Sequence, residues 1–453
     1  SFSVDAVAEA HEGLAMNQPA EQLSDASADA GPVAGFGFWK CWSLSVGVMI
    51  GSGVFLLPAV LAPYGSISFL GWIVTSIGAI LIALVLGRLA GRTDRSGGFY
   101  VYTRDAFGDL AGFIVGWSYW LSILFAVAAI SVAFAGYAGA VVPALGANTI
   151  TQALVATSII WILTGVNMKG VSEAASVQLV MTILKIIPLL VIIALGVVAG
   201  TPDNIPPFNP QAMPVGEALA TTALLTMWAF IGIEAGVVPA ADVIDAKRTI
   251  PRAVIAGTLS VAVLYIAATA AVMMLVPVET LSVSEAPFAD AARALGAFGG
   301  PLIAIGALVS TAGSLNGNIL LSGQMPMAVA RDGLAPKILA KKNTGHAPIV
   351  ALIMSSTLAT LLLIFNYSDG LVSAFTFLIS MSTLATLMPY AVSALAELRH
   401  SMKSARAWAV IAIVALVYAI VAMAGAGLKP LLWGVVLLAA GLPVFYWTKQ
   451  SRR

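Results

Sequence analysis

The stretch Gly47-Val-Met-Ile-Gly51-Ser-Gly53-Val-Phe55 lies inside the first long apolar segment of the chain and decides how that segment folds. Glycine weakens a helix because it leaves the backbone too much conformational freedom, so three glycines within seven residues predict a break. Backbone groups left unpaired at a break cannot face lipid, and broken helices at membrane depth therefore surround a cavity. The stretch predicts an interrupted transmembrane helix.

A second interruption lies in the sixth apolar segment, where the sequence reads Trp228-Ala-Phe-Ile-Gly232-Ile-Glu234-Ala-Gly236. Interrupted segments at corresponding positions of two halves are the best sequence indication of a transporter's substrate site. The two breaks together predict a membrane transporter whose substrate binds between them.

The composition is that of a membrane protein. Of 453 residues, 60% are hydrophobic and 9% charged, with a mean hydropathy of +0.97, whereas a soluble domain carries about 25% charged residues. Apolar runs of roughly 20 residues span a bilayer. They predict an all-α integral membrane protein in a lipid bilayer, with about twelve transmembrane helices near residues 40–62, 67–91, 111–142, 150–168, 173–199, 216–245, 252–277, 300–327, 348–365, 371–396, 407–426 and 430–447.

Lysine and arginine are concentrated in alternate connections between these spans. The basic clusters are Arg88, Arg92, Arg95 and Arg104; Lys247, Arg248 and Arg252; Arg331, Lys337, Lys341 and Lys342; Arg399, Lys403 and Arg406; and Lys449, Arg452 and Arg453. The other connections hold only Arg293 and Lys429. By the positive-inside rule, this asymmetry predicts a multi-pass protein of the inner (plasma) membrane with both termini cytoplasmic.

The order of the spans divides the chain into four parts. Residues 1–35 are rich in Ala, Asp and Glu and predict a disordered acidic cytoplasmic tail. Residues 36–200 hold spans one to five, residues 201–400 hold spans six to ten, and residues 401–453 hold the last two spans. An odd number of spans per half inverts one half relative to the other in the membrane, which predicts an inverted repeat.

The sequence gives no support to an enzyme or to a metal or cofactor site. His11, His346 and His400 lie far apart along the chain, and no phosphate-cradling glycine loop or nucleophile elbow is visible. We expect no cofactor, no metal and no nucleic-acid partner.

Several motifs, in order, resemble the amino acid–polyamine–organocation superfamily. They are Gly47-Val-Met-Ile-Gly-Ser-Gly-Val-Phe-Leu-Leu-Pro58-Ala59, Gly71-Trp72, Ser96-Gly-Gly-Phe-Tyr100-Val-Tyr102, Phe230-Ile-Gly-Ile-Glu234, Arg248-Thr-Ile-Pro251-Arg252-Ala253, Pro287-Phe288, Gly323-Gln324 and Arg331-Asp-Gly333. The resemblance covers about residues 36 to 400 and is strongest to the bacterial arginine/agmatine antiporters. It implies the leucine-transporter type of fold, a 5+5 inverted repeat with discontinuous helices 1 and 6, and alternating-access transport.

The resemblance also implies a substrate cradle that agrees with the physics of the breaks. Freed N–H groups at the start of a half-helix form a positive dipole end that suits a carboxylate, while unwound carbonyls suit an α-ammonium. The cradle is predicted to comprise Ile50, Gly51, Ser52, Gly53, Val54, Trp228, Ala229, Phe230 and Ile231. The equivalents of Trp228 and Tyr119 line the substrate path in the arginine/agmatine antiporters.

Two ionisable residues at membrane depth are predicted to act in coupling or gating. An ionisable residue such as Glu234 costs free energy within a membrane and usually marks a functional site. In the family, this glutamate couples the half-helices and can sense protons. Lys185 lies about 18 Å from the cytoplasmic end of span five, which is too deep for its ammonium to reach the membrane surface easily. In proton-coupled amino acid transporters and neutral amino acid exchangers, such a lysine takes the place of a sodium ion between spans one and eight. The resemblance therefore implies that Thr311 in span eight is a neighbour of Lys185. It also implies that transport does not depend on sodium.

Other positions depart from the arginine/agmatine antiporters. Asn318 replaces a gating tryptophan, and Val127 and Ile130 replace polar or longer residues near the guanidinium. We expect Ser122, Asn318 and Ser380 to lie near the substrate side chain.

The sequence therefore predicts a secondary active amino acid transporter, a proton-coupled symporter or an amino acid exchanger, for neutral or small amino acids. A basic amino acid/polyamine antiporter is the alternative within this class, and a non-transporting membrane receptor or scaffold is the alternative from another. The sequence does not choose between symport and exchange, and it leaves a homodimer open. The expected partners are the small-molecule substrate, protons and lipid.

Overall fold

A computed structural model describes residues 37–51, 53–92, 98–169, 175–236, 245–343, 347–367, 370–402 and 405–450. The predicted acidic tail at residues 1–35 and the predicted cradle residue Ser52 lie outside these ranges. All regular secondary structure in the described ranges is helical, in agreement with the all-α prediction.

Seventeen α-helices follow one another along the described chain. They are α1 (Phe38–Met49), α2 (Gly53–Leu61), α3 (Ile67–Ala90), α4 (Phe99–Phe107), α5 (Asp109–Val141), α6 (Thr149–Met168), α7 (Ala175–Ala199), α8 (Val215–Met227), α9 (Ala246–Leu275), α10 (Val278–Leu281), α11 (Pro287–Ala291), α12 (Gly299–Arg331), α13 (Ile349–Asn366), α14 (Leu371–Ser401), α15 (Arg406–Ala424), α16 (Leu428–Ala439) and α17 (Gly441–Gln450).

Nine helices within the described ranges are long and apolar enough to cross a membrane, or ten if the bent pair α1 and α2 counts as one span. Predicted spans five and six correspond to α7 and to α8 with the turn that follows it, and within them the stretches Lys185–Ala199 and Val215–Phe230 count as shorter apolar helices. The multi-pass architecture is thus clear, whereas the count of twelve spans and the inverted repeat remain predictions.

Helix α5 forms the centre of the bundle. Within its most apolar 18-residue window 94% is buried, against 11% for the window that covers α16 and α17. It packs against α12, α14, α6 and α13, and its middle carries small residues such as Ala126, Ala128 and Ala129. Small side chains let membrane helices approach closely, because lipid supplies no hydrophobic force between them. Residues on α5 are therefore held rigidly against several spans.

Ion pairs join the helices at one end of the molecule, which we call the basic end. The buried carboxylate of Glu397 on α14 lies 3.0 Å from Arg88 Nε and 2.6 Å from Arg92 Nη1, both at the end of α3. Arg104 on α4 donates to Asp332, which follows α12, at 2.9 Å. The Glu397 carboxylate is fully buried, and leaving a buried charge without its partner is destabilising by about 3–5 kcal/mol. The Arg104–Asp332 pair is partly exposed and contributes less. Together these contacts join α3 to α14 and α4 to the end of α12.

At the opposite end, the segment between α9 and α12 covers the bundle. Phe288 on α11 packs against Phe55 on α2, with ring centroids 5.2 Å apart. Tyr137 on α5 donates to the Phe55 carbonyl at 2.7 Å and accepts from the Phe288 N–H at 3.4 Å. Glu285 accepts a hydrogen bond from Gln152 on α6 at 2.5 Å. This covering segment, residues 276–298, is therefore fastened to α2, α5 and α6.

Candidate substrate site

The first predicted break lies between α1 and α2. Helix α1 ends at Met49, Ile50 is extended with φ −74° and ψ 90°, and α2 begins at Gly53. The two helix axes differ in direction by 46°. The first N–H groups of α2 lack partners within their own helix, so this buried helix start offers donors to a carboxylate.

The second predicted break follows α8. Trp228–Phe230 and Ile233–Gly236 form short 3₁₀ turns on either side of the extended residue Ile231 and of Gly232, which has φ +110°. A Cβ on Gly232 would lie 2.6 Å from Val48 Cγ1, and a positive φ is strained for other residues. The turn thus requires glycine for both conformation and space.

The two breaks lie against each other. A Cβ on Gly53 would lie 3.0 Å from Cδ1 of Trp228 and 3.3 Å from Cα of Ala229. Among the described residues, no group accepts from the buried indole N–H of Trp228. This free donor beside the start of α2 suits a carboxylate or another polar group of a substrate.

Phe230 has a different role from Trp228. Its side chain is fully buried in an aromatic cluster, with its ring 6.0 Å from Trp72 and 6.1 Å from Tyr265. Tyr265 in turn donates to the carbonyl of Met49, the last residue of α1, at 2.7 Å. The Phe230 ring therefore supports the break, and only its backbone is placed to serve a substrate.

Glu234 lies at the centre of a hydrogen-bond network. Its carboxylate accepts from Tyr119 on α5 at 3.0 Å, from Tyr390 on α14 at 2.8 Å and from the Gly232 N–H at 3.0 Å. The Phe99 ring packs against both tyrosine rings, at 5.1 and 5.4 Å. Hydrogen bonds to a charged acceptor are among the strong ones, so this carboxylate ties the second break to α5 and α14.

Lys185 on α7 reaches the first broken helix. Its buried ammonium donates to the carbonyl of Gly47 on α1 at 3.4 Å, and it lies 4.0 Å from the position that a Cβ on Gly313 of α12 would occupy. The lysine thus lies between α1, α7 and α12. Thr311, which the sequence suggests as its neighbour, donates to the Ala307 carbonyl of its own helix.

The three polar residues predicted near the substrate side chain make hydrogen bonds within their own helices. Asn318 donates to the Ser314 carbonyl, Ser122 to the Tyr119 carbonyl, and Ser380 to the Thr376 carbonyl. The described contacts do not join Ser380, Asn318 or Thr311 to the breaks. Ser122 belongs to the neighbourhood of Tyr119 and accepts from Ser382 through its backbone carbonyl.

Two residues of the site escape sequence reasoning. Tyr390 binds Glu234, and the only signal for it is a Pro389-Tyr390 pair within the tenth span. Ser314 lies against the first break, where a Cβ on Gly51 would be 2.6 Å from its hydroxyl oxygen. The only sequence signal for Ser314 is that it lies one helical turn before Asn318 and so shares the same face of the helix.

The comparison with known proteins shows the family to which the chain belongs. The family model for amino acid permeases matches residues 36–442, a range that contains both breaks and Lys185. The chain belongs to this amino acid permease family, and with it to the amino acid–polyamine–organocation superfamily.

Similar proteins span nearly the whole permease. A putative arginine/ornithine antiporter of Bacillus subtilis is 30% identical over 400 residues, which cover 81% of this chain and 85% of the relative. A cadaverine/lysine antiporter of Escherichia coli is 29% identical over 432 residues, 92% of this chain and 95% of the relative. A putrescine transporter of Escherichia coli is 27% identical over 406 residues, 88% and 92% of the two chains.

These relatives are transporters of basic amino acids and polyamines by name. They agree with the expected transporter class and with the alternative substrate class better than with the expectation of neutral or small amino acids. This permease is therefore a membrane transporter of the amino acid/polyamine class.

Proposed function

We propose that this permease exchanges basic amino acids or polyamines across the inner membrane without sodium. The observation that carries the proposal is the Glu234 carboxylate at the second break, held by Tyr119, Tyr390 and the Gly232 N–H. A carboxylate at membrane depth is expensive and marks a functional site, and it attracts the ammonium groups that basic amino acids and polyamines share. The names of the similar antiporters support the same substrate class.

The cradle between the breaks would bind the part of the substrate that all amino acids share. The substrate carboxylate would lie at the start of α2, near the N–H groups of Gly53 and Val54 and the free indole N–H of Trp228. The α-ammonium would lie at the carbonyls of Ala229 and Phe230. The Trp228 carbonyl already accepts from the Ile231 N–H at 3.3 Å and contributes less.

Lys185 supports the sodium-independent part of the proposal. A sodium ion needs a set of oxygen ligands, and the nearby Gly47 carbonyl already accepts from the lysine ammonium. A cation fixed on α7 would also be repelled by a second cation at the same place. Release and rebinding of the Lys185 proton during transport would couple the cycle to protons.

A second substrate class has a specific observation in its favour. Val127 and Ile130 are buried apolar residues on α5, in the region where the arginine/agmatine antiporters bind a guanidinium. An apolar wall there favours neutral side chains. Competition between neutral and basic substrates distinguishes the two readings, and the absence of any uptake would favour a receptor or scaffold.

Substrate binding to the Glu234→Gln variant tests the assignment. Glutamine keeps the shape but has one acceptor oxygen where the two carboxylate oxygens serve Tyr119 and Tyr390, and it removes the charge. The affinity for lysine, ornithine and putrescine should therefore fall at least about tenfold, the loss expected for one charge-assisted contact of about 1.4 kcal/mol. Thermal stabilisation by each ligand reports binding. Glu217→Gln, an exposed acid at the start of α8, is the matched control. Unchanged affinity for all three cations would remove Glu234 from the proposal.

A further inference from the structure

A cavity outside the substrate site opens at the basic end between α5, α12, α13 and α17. Its volume is about 460 Å³. The wall includes Phe113, Trp117, Trp120, Met325, Met354 and Trp447. These apolar side chains make it distinct from the polar cradle between the breaks.

The polar groups of the two inner tryptophans are already satisfied. The Trp117 indole N–H donates to the Leu437 carbonyl at 2.9 Å, and that of Trp120 donates to the Ser355 hydroxyl at 3.0 Å. The cavity therefore offers these rings as apolar surface only, which suits a hydrocarbon chain and not an amino acid or polyamine.

The cavity lies at the ends of three helices, where a membrane-spanning helix passes from hydrocarbon to headgroups. Its wall uses the last seven residues of α12, the first six of α13 and the last seven of α17. On α5 it extends to Trp120, which lies about 17 Å along the helix from Asp109 at 1.5 Å per residue. A chain that enters at the basic end would thus run inward beside α5. Tryptophan at a helix end, as at Trp447, is typical of the membrane interface.

Two exposed lysines flank the wall at this end. Lys337 lies between the lining residues Pro336 and Ile338, and Lys449 lies two residues after Trp447, with its ammonium 5.8 Å from the Phe445 ring. Neither lysine forms an ion pair with a described residue. The nearby Asp332 carboxylate already accepts hydrogen bonds from Arg104 and Tyr100. The described residues around the entrance therefore leave its positive charge uncompensated.

We propose that this cavity binds one acyl chain of an anionic phospholipid, whose phosphate is bound by Lys337 and Lys449. Clusters of basic residues beside membrane helices attract anionic headgroups, by about fivefold in affinity for each lysine near the surface. The cavity adds apolar contact that a lipid at an open helix surface would lack. The site is independent of the substrate and of the proposed exchange.

Native mass spectrometry of the delipidated permease in a neutral detergent tests the proposal. Phosphatidylglycerol and phosphatidylcholine with identical chains are titrated onto the wild type and three variants. Lys337→Ala/Lys449→Ala removes the headgroup contacts, and Met354→Trp fills the cavity. Arg252→Ala/Arg406→Ala removes two exposed charges from α9 and α15, which do not line the cavity.

We expect the wild type and the arginine variant to bind one phosphatidylglycerol at least tenfold more tightly than phosphatidylcholine. The lysine variant should lose that preference, and Met354→Trp should lose the tight site for both lipids while it elutes as the wild type does in gel filtration. Val350→Phe replaces Met354→Trp if the latter aggregates. Equal binding of the two lipids to the wild type, or equal losses in the lysine and arginine variants, would overturn the proposal.

Discussion

Gly53 leaves room for the indole of Trp228 because it carries no side chain. The start of α2 and the second break can therefore approach each other directly, with 3.0 Å between Trp228 Cδ1 and the position of a Cβ on Gly53. A branched side chain at this position would displace Trp228 or the backbone of Ala229, and both belong to the proposed cradle.

The Gly53→Val variant should consequently lose substrate binding. We expect at least a hundredfold weaker affinity, because the new methyl groups occupy the place of the substrate carboxylate as well as that of Trp228. Ligand-induced thermal stabilisation measures the change. Gly165→Val is the matched control, since nothing lies within 4 Å of a Cβ at that helical position. Affinity as in the wild type for Gly53→Val would disprove the cradle at the first break.

Lys185→Ala should impair transport at every pH and should not create a requirement for sodium. The variant loses the contact between α7 and the Gly47 carbonyl, which leaves a buried polar gap between the helices. We expect transport to fall at least tenfold in proteoliposomes with sodium, potassium or proton gradients imposed separately. Lys429→Ala, an exposed lysine on α16, controls for loss of charge. An unaffected rate, or accumulation by the wild type that a sodium gradient drives, would contradict the assigned role.

Residue chemistry explains what the sequence predicted well and what it did not. Both breaks were predictable because glycine weakens a helix, and Gly51, Gly53 and Gly232 therefore mark the interruptions in the sequence itself. Tyr390 and Ser314 were missed because an ordinary residue inside an apolar helix does not reveal which face it occupies. Ser380 and Asn318 were placed near the substrate by analogy, yet their side chains hydrogen-bond to their own helices.

At the scale of elements, the covering segment at residues 276–298 depends on a partly buried acid. Glu285 is bound to Gln152 on α6, and burial raises the pKa of its carboxyl above the ordinary value, although the hydrogen bond from Gln152 opposes this shift. The folded protein therefore holds the proton more tightly than the unfolded chain does.

This linkage predicts the pH dependence of stability. A raised pKa means that stability rises as the pH falls through the folded pKa of Glu285 towards its ordinary value of 4.5. Glu285→Gln keeps a hydrogen-bonding partner for Gln152 and removes the titration. The variant should show a smaller gain in melting temperature than the wild type between pH 7 and pH 5. Glu279→Gln, an exposed acid of the same segment, should keep the wild-type slope, and an unchanged slope in Glu285→Gln would refute the linkage.

The elements also show where sequence reasoning stops. Apolar length predicts α3, α5, α9, α12 and α14 directly, because each is a long apolar helix. Span six differs, because the second break ends its apolar helix at Phe230. Length and hydropathy do not distinguish a broken span from a re-entrant loop there.

For the whole molecule, the ion pairs of Glu397 and Asp332 gather basic residues at one end. By the positive-inside rule, we expect this end to face the cytoplasm. A fluorescent protein fused after Arg453 should therefore fluoresce in cells, and alkaline phosphatase at the same place should be inactive. The same phosphatase inserted near Asn204, in the connection before α8, should be active and serves as the control. The reverse pattern would invert the proposed topology.

The central claim is that the permease exchanges cationic amino acids or polyamines without sodium. It is tested most directly by counterflow of radiolabelled lysine, ornithine and putrescine into proteoliposomes loaded with each unlabelled cation, with leucine or alanine, or with buffer alone, in sodium-free medium. We predict rapid uptake only when a basic amino acid or polyamine is present inside, with Glu234→Gln inactive. Uptake that only neutral amino acids drive, or that appears only when sodium is added, would contradict the account.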